Sequence, residues 1–146
     1  MPTPALTSTE LAAWRSFLRA HATVTRRLEA ELVAEHELPL ASYDVLVQLS
    51  EAPERALRMT ELAERVLLSR SGLTRLVDRL ERDGLVARQA GPDDARGTLA
   101  VLTDAGLDRL RKAWPTHLRG VSEHVTGKLS RDELVLLEDL LGRLAT

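Results

Sequence analysis

Arginines carry the chemistry of this chain. Eighteen of its twenty basic residues are arginines, Lys112 and Lys128 being the exceptions, and the planar guanidinium matches a phosphate or a guanine edge with two parallel hydrogen bonds. The formal net charge is -2, so any such chemistry must come from local placement, because proteins that bind nucleic acid through overall charge have a basic pI. The densest placement is "SRSGLTRLVDRLERDG", residues 69 to 84. Its Leu73, Leu76, Val77 and Leu80 stand at i, i+3, i+4 and i+7 and predict an amphipathic helix, with Ser69 as N-cap and Gly84 as the stop. Arg70, Ser71, Thr74, Arg75, Asp78, Arg79 and Arg82 fall opposite that stripe. The small and basic ones gather in the N-terminal half, which reaches base edges when a helix enters the major groove. Taken alone, this face reads more readily as solvated surface, with Asp78 paired to Arg75 or Arg82. Its neighbours decide.

Before it lies a short helix, "ELAERVL", capped by Thr60 and joined to it by "LLS". After it, two runs with β-like alternation flank a tip at residues 91 to 97. Helix, tight turn, basic helix and hairpin form the order of a winged helix-turn-helix. Arg96 sits beside the hairpin turn, where an arginine can enter the minor groove and meet its strong negative potential. Asp94, two residues earlier, would hold a neighbouring arginine by a charge-assisted hydrogen bond. The DNA-contacting set expected from the sequence is therefore Ser69, Arg70, Ser71, Thr74, Arg75, Arg79, Arg88, Asp94 and Arg96.

Other elements must position this lobe. Thr7 and Glu10 form a capping box for a long first helix from near Ser8, with Leu11, Trp14, Leu18, Leu28 and Leu32 at near-helical spacing, until Pro39 breaks it. "SYDVLVQLSEAPE" predicts a second helix ending before Pro53. Thr103 caps a further helix whose apolar rhythm runs from Leu107 to Leu129, kinked at Pro115. The final segment, "RDELVLLEDLLGRLAT", carries two leucine stripes, too much apolar surface for a monomer to leave bare. The expected fold class is mainly α with a small β-hairpin wing. One domain spans residues 1–146, with a winged helix-turn-helix at 42–103 flanked by N- and C-terminal dimerisation helices at 8–36 and 104–146.

Several function classes fall away. "SRSG" is not a nucleophile elbow, and the chain has no phosphate loop, no His-Glu-x-x-His and no carboxylate pair in a supporting pattern, so an enzyme is not expected. With no cysteine, disulfides and thiolate metal sites are excluded. His117 and His124 stand two turns apart instead of at i, i+4, and His21 and His36 are scattered, so neither metal nor cofactor is assigned. The absence of an eighteen-residue apolar run and of a basic-then-apolar N-terminus leads us to expect a cytoplasmic protein that does not engage membranes.

Residues 62 to 106 resemble the winged helix-turn-helix of the MarR family of bacterial transcriptional regulators. The resemblance rests on "SRSGLTRLVDRLE..GLV" and on Asp94-x-Arg96 followed by Leu102-Thr103-x-x-Gly106. It implies a homodimer on a pseudo-palindromic double-stranded DNA operator, usually a repressor, released by a small effector that is often an aromatic anion. Trp14, His21, Trp114 and His117, with His124, are the candidates to line an effector pocket, although a tryptophan on an apolar stripe is more often core. One departure is Ala95, where such proteins often carry a second arginine. A helical adaptor that binds only proteins is the alternative reading.

Overall fold

The structure, a computed structural model, describes residues 1–66, 68–91 and 97–146, with Arg70 described in its backbone only. Thr7 Oγ1 accepts the Glu10 N–H at 3.1 Å and opens α1, Ser8–His36. Its end is marked by Glu37, which adopts the left-handed φ of 52°. Pro39 then serves as N-cap of α2, Leu40–Glu51, so this helix starts two residues ahead of the expected "SYDV". A 3-10 turn at Pro53–Arg55 leads into β1, Ala56–Arg58, and directly into α3, Met59–Val66. Thr60 therefore lies inside the first turn of α3 instead of capping it. α4 spans Arg70–Arg82.

The hairpin expected after α4 is present as β2, Val86–Ala90, and β3, Thr98–Leu102. β1 was not foreseen, because three residues are too few to show alternation. It pairs antiparallel with β3, Leu57 opposite Ala100, while β2 pairs with the other edge of β3, Val86 opposite Leu102. The order β1-β3-β2 means that the chain leaves the sheet at β1, makes α3 and α4, and returns on the far side of a strand that comes last.

α5, Asp104–His124, runs unbroken through Pro115. It stops five residues short of the apolar rhythm's end, since Val125 takes φ -130° and ψ -74° and a 3-10 turn at Thr126–Lys128 follows. α6, Arg131–Leu144, opens on a capping box. Glu133 N–H donates to Ser130 Oγ at 3.2 Å, and Ser130 N–H donates to the Glu133 carboxylate at 2.8 Å. Among the described residues, no helix is long and apolar enough to cross a membrane.

Two compact units result, residues 1–31 with 117–146, and residues 32–116. The hydrophobic core lies wholly in the second, where Leu46 and Leu49 of α2, Leu62 of α3, Leu73, Val77 and Leu80 of α4, Val86 and Ala100 of the sheet and Leu110 of α5 are all buried. Each such leucine contributes roughly 1.5–3 kcal/mol on leaving water. The first unit is different. Leu28 is its one buried large apolar side chain among the described residues, and α6 buries none.

Candidate nucleic-acid interface

The roll of α4 is set by its buried side. Leu73, Val77 and Leu80 are sunk in the core, which leaves Ser71, Thr74, Arg75 and Arg79 exposed along the opposite face. Ser69 is exposed too, and its Oγ accepts the Gly72 N–H at 3.1 Å. It caps the helix as expected and occupies one of the free amide donors of the first turn. At the other end Gly84 takes φ 76°. Its N–H reaches Glu81 O at 3.0 Å, and Leu85 N–H reaches Leu80 O at 2.9 Å, the glycine-dependent closure of a Schellman motif.

Arg88 of β2 is drawn inward instead of standing free on the wing. Its Nη1 donates to Asp78 at 2.6 Å and to Glu81 at 3.1 Å, its Nη2 to the Thr74 carbonyl at 3.4 Å, and its N–H to the other Glu81 oxygen at 3.3 Å. The expected pairing of Asp78 within its own helix gives way to this bridge. Asp78 and Glu81 stand three residues apart and so share a helix face. That spacing, with an arginine beyond the turn, was the available signal.

A second lock joins the sheet to α5. Thr103 Oγ1 donates to Gly84 O at 2.7 Å and accepts the Gly106 N–H at 3.0 Å, while Thr103 N–H donates to Leu85 O at 3.1 Å. A Cβ on Gly106 would stand 2.1 Å from Leu85 O and 2.6 Å from Leu102 Cδ1. The spacing Leu102-Thr103-x-x-Gly106 thus records a backbone crossing that only glycine permits. At the wing, Gly91 N–H donates to Gly97 O at 3.0 Å and closes the strands beneath the tip. Asp94 and Arg96 lie outside the described residues, as does the side chain of Arg70.

The family model for the MarR family matches residues 36–97. The crystal structure of Sco3205, a MarR family transcriptional regulator from Streptomyces coelicolor, in complex with DNA, superposes with a TM-score of 0.92 at 36% identity, over 98% of this chain and 90% of that one. AbsC, a MarR family transcriptional regulator from the same organism, gives 0.90 at 36% identity over 98% and 96%. A Bacillus subtilis relative described as the uncharacterized HTH-type transcriptional regulator YkoM is 31% identical over 121 residues, 82% of this chain and 75% of that protein. This chain belongs to the MarR family. Its winged helix-turn-helix is the family's, and its relatives are transcriptional regulators.

Within this MarR-family chain the residues assigned to an effector pocket are dispersed over both units. Trp14 is 52% exposed and stacks on Phe17 with centroids 6.1 Å apart, and Trp114 is 49% exposed. Neither tryptophan is core, contrary to what such stripes usually mean. His21 is exposed and His117 half-buried. A polar cluster that sequence reasoning missed lies between the end of α1 and α5. There Thr116 Oγ1 donates to Glu35 at 2.6 Å and meets His36 Nε2 at 2.8 Å, and Arg109 Nη2 donates to the His36 carbonyl. These contacts join residues 81, 80 and 73 positions apart, beyond the reach of any local pattern.

Proposed function

We propose that this MarR-family regulator binds double-stranded DNA sequence-specifically as a homodimer on a pseudo-palindromic operator, represses from it, and is released by a small aromatic or anionic effector. The observation that carries the reading is the exposed row Ser71, Thr74, Arg75 and Arg79 on a helix whose other face is fixed in the core. Hydroxyl and guanidinium groups in the first turns of such a helix are the groups that hydrogen-bond base edges in the major groove. The complex of Sco3205 with DNA supports it. Dimerisation is supported by α6, which buries nothing while exposing Val135, Leu136, Leu140, Leu141 and Leu144. Two-fold related recognition helices would then enter successive major grooves about 10 base pairs apart.

The test is capture of genomic fragments by the purified protein followed by footprinting. The expected result is protection of an inverted repeat with half-sites about 10 base pairs apart centre to centre. Binding that ignores sequence, or a footprint on a single half-site, overturns it, and a protein that passes straight through a DNA column is the helical adaptor instead. Release of the captured operator by benzoate-class acids, at concentrations where acetate has no effect, tests the effector part separately.

A further inference from the structure

We propose that Glu31, Glu123 and His124 form a binding site for a divalent first-row transition metal, pinning the last turn of α5 to α1. The three side chains offer a carboxylate oxygen, a second carboxylate oxygen and an imidazole nitrogen, all within 4.8 Å of one another. Around a tetrahedral zinc with ligand bonds of about 2.0–2.2 Å, donor atoms stand about 3.4 Å apart, so closure asks less than about 1.5 Å of side-chain adjustment. His124 Nε2 already lies 3.3 and 3.2 Å from the two Glu31 oxygens. All three residues belong to the unit of residues 1–31 and 117–146.

Gly120 supplies an independent observation. A Cβ there would stand 2.5 Å from Glu31 Oε1 and 2.9 Å from Leu28 Cδ2. Glycine is a poor residue for a helix interior, and here it opens a recess against the α5 backbone, one turn before His124, into which the Glu31 carboxylate fits. A lone Glu31–His124 hydrogen bond has no use for Glu123. Two carboxylates and one imidazole are together a donor set that a dication can take. Nitrogen with two oxygens and no thiolate suits borderline ions of the zinc, cobalt and manganese class, and three protein ligands leave coordination positions for water. The residues were invisible as a set in the sequence because Glu31 is 93 positions from His124.

The rival is a simple ion pair between Glu31 and protonated His124, in which exposed Glu123 is a bystander. The experiment uses the full chain, freed of metal with a chelator, at neutral pH. Zinc is titrated by calorimetry and cobalt by its visible absorption. The inference requires one ion per chain, with Glu123→Gln weakening zinc at least ~10-fold, as loss of even an outer partner of a metal ligand commonly does, while circular dichroism stays unchanged. His124→Gln should remove the imidazole-dependent cobalt spectrum. Absence of saturable binding overturns the inference, and so does saturable binding that both variants leave intact. No DNA is present, so the result stands apart from the reading of the helix face.

Discussion

Arg88 on the wing strand and Asp78 on the exposed-face helix form a charge-assisted hydrogen bond of 2.6 Å, with the Arg88 side chain only 24% exposed. The helix that presents Arg75 and the strand that carries the wing are therefore fastened by a side chain as well as by the turn between them. Asp78→Asn keeps the shape and removes the charge. It should cost about 1 kcal/mol of stability, since the pair is partly screened, and weaken operator binding several-fold. A double-mutant cycle with Arg88→Met, read by urea unfolding, should show coupling of about 0.5–1 kcal/mol; additivity of the two changes would remove the strut.

Alanine normally stabilises a helix relative to glycine. At Gly106 the sign should invert, because the new methyl group would meet Leu85 O at 2.1 Å. Overpacking of this severity costs about 1–3 kcal/mol or more. Gly106→Ala should lower the melting temperature by at least several degrees, and a variant as stable as the parent contradicts the backbone crossing described above.

The helix face and the wing should fail differently. Arg75→Ala should lose about 1–3 kcal/mol on the operator and relax preference at one position per half-site. Arg96→Ala, by the sequence argument for the minor groove, should weaken operator and unrelated DNA alike and lower the salt slope by roughly one unit per lost contact. Fluorescence anisotropy on both DNAs across a salt series distinguishes them. Parent-like binding by Arg96→Ala would leave the hairpin tip as a turn and nothing more.

Leu136 and Leu140 stand four residues apart on α6, both exposed in the single chain. Stable obligate dimers bury roughly 2,000 Å² or more, and charge placed in such a surface is not tolerated. Leu136→Glu with Leu140→Glu should therefore give a monomeric mass, or an unfolded chain, by light scattering and circular dichroism. A folded dimer would show that the interface lies elsewhere.

The Glu133 carboxyl titrates below its ordinary value because it accepts the Ser130 N–H and meets the Ser130 hydroxyl. A depressed folded value means that the cap supports α6 above the unfolded pKa and is lost as pH falls through the folded one. Carboxyl NMR should place the Glu133 midpoint below the ordinary glutamate value, and Glu133→Gln should flatten the acid dependence of α6 amide exchange.

What was legible in the sequence was local. The leucine spacing from Leu73 to Leu80 set the roll of α4, and Ser69 and Gly84 set its ends, because caps and periodicity act within one or two turns. β1 escaped because three residues carry no period, and the extension of α5 to Leu129 failed because apolar rhythm does not report the backbone turn at Val125. Arg88 is expected from the sequence among the DNA contacts, and its bridge to Asp78 escaped because Asp78 had nearer arginines to choose from. The Thr116 cluster and the Glu31–His124 contact escaped for a stronger reason, since no window short enough to show helical spacing contains both partners.

The strand order β1-β3-β2 also bears on the order of events during synthesis. The central strand is the last of the three to be made, so β1 emerges from the ribosome with no neighbour to pair with, and Leu57 waits uncovered. At about 5–20 residues per second the forty residues from Arg58 to Thr98 take a few seconds, during which α3 and α4 exist without the strand that closes their core. A nascent chain halted before β3 should therefore be protease-sensitive throughout its middle, and one from which the chain past Ala113 has emerged should become resistant in a single step.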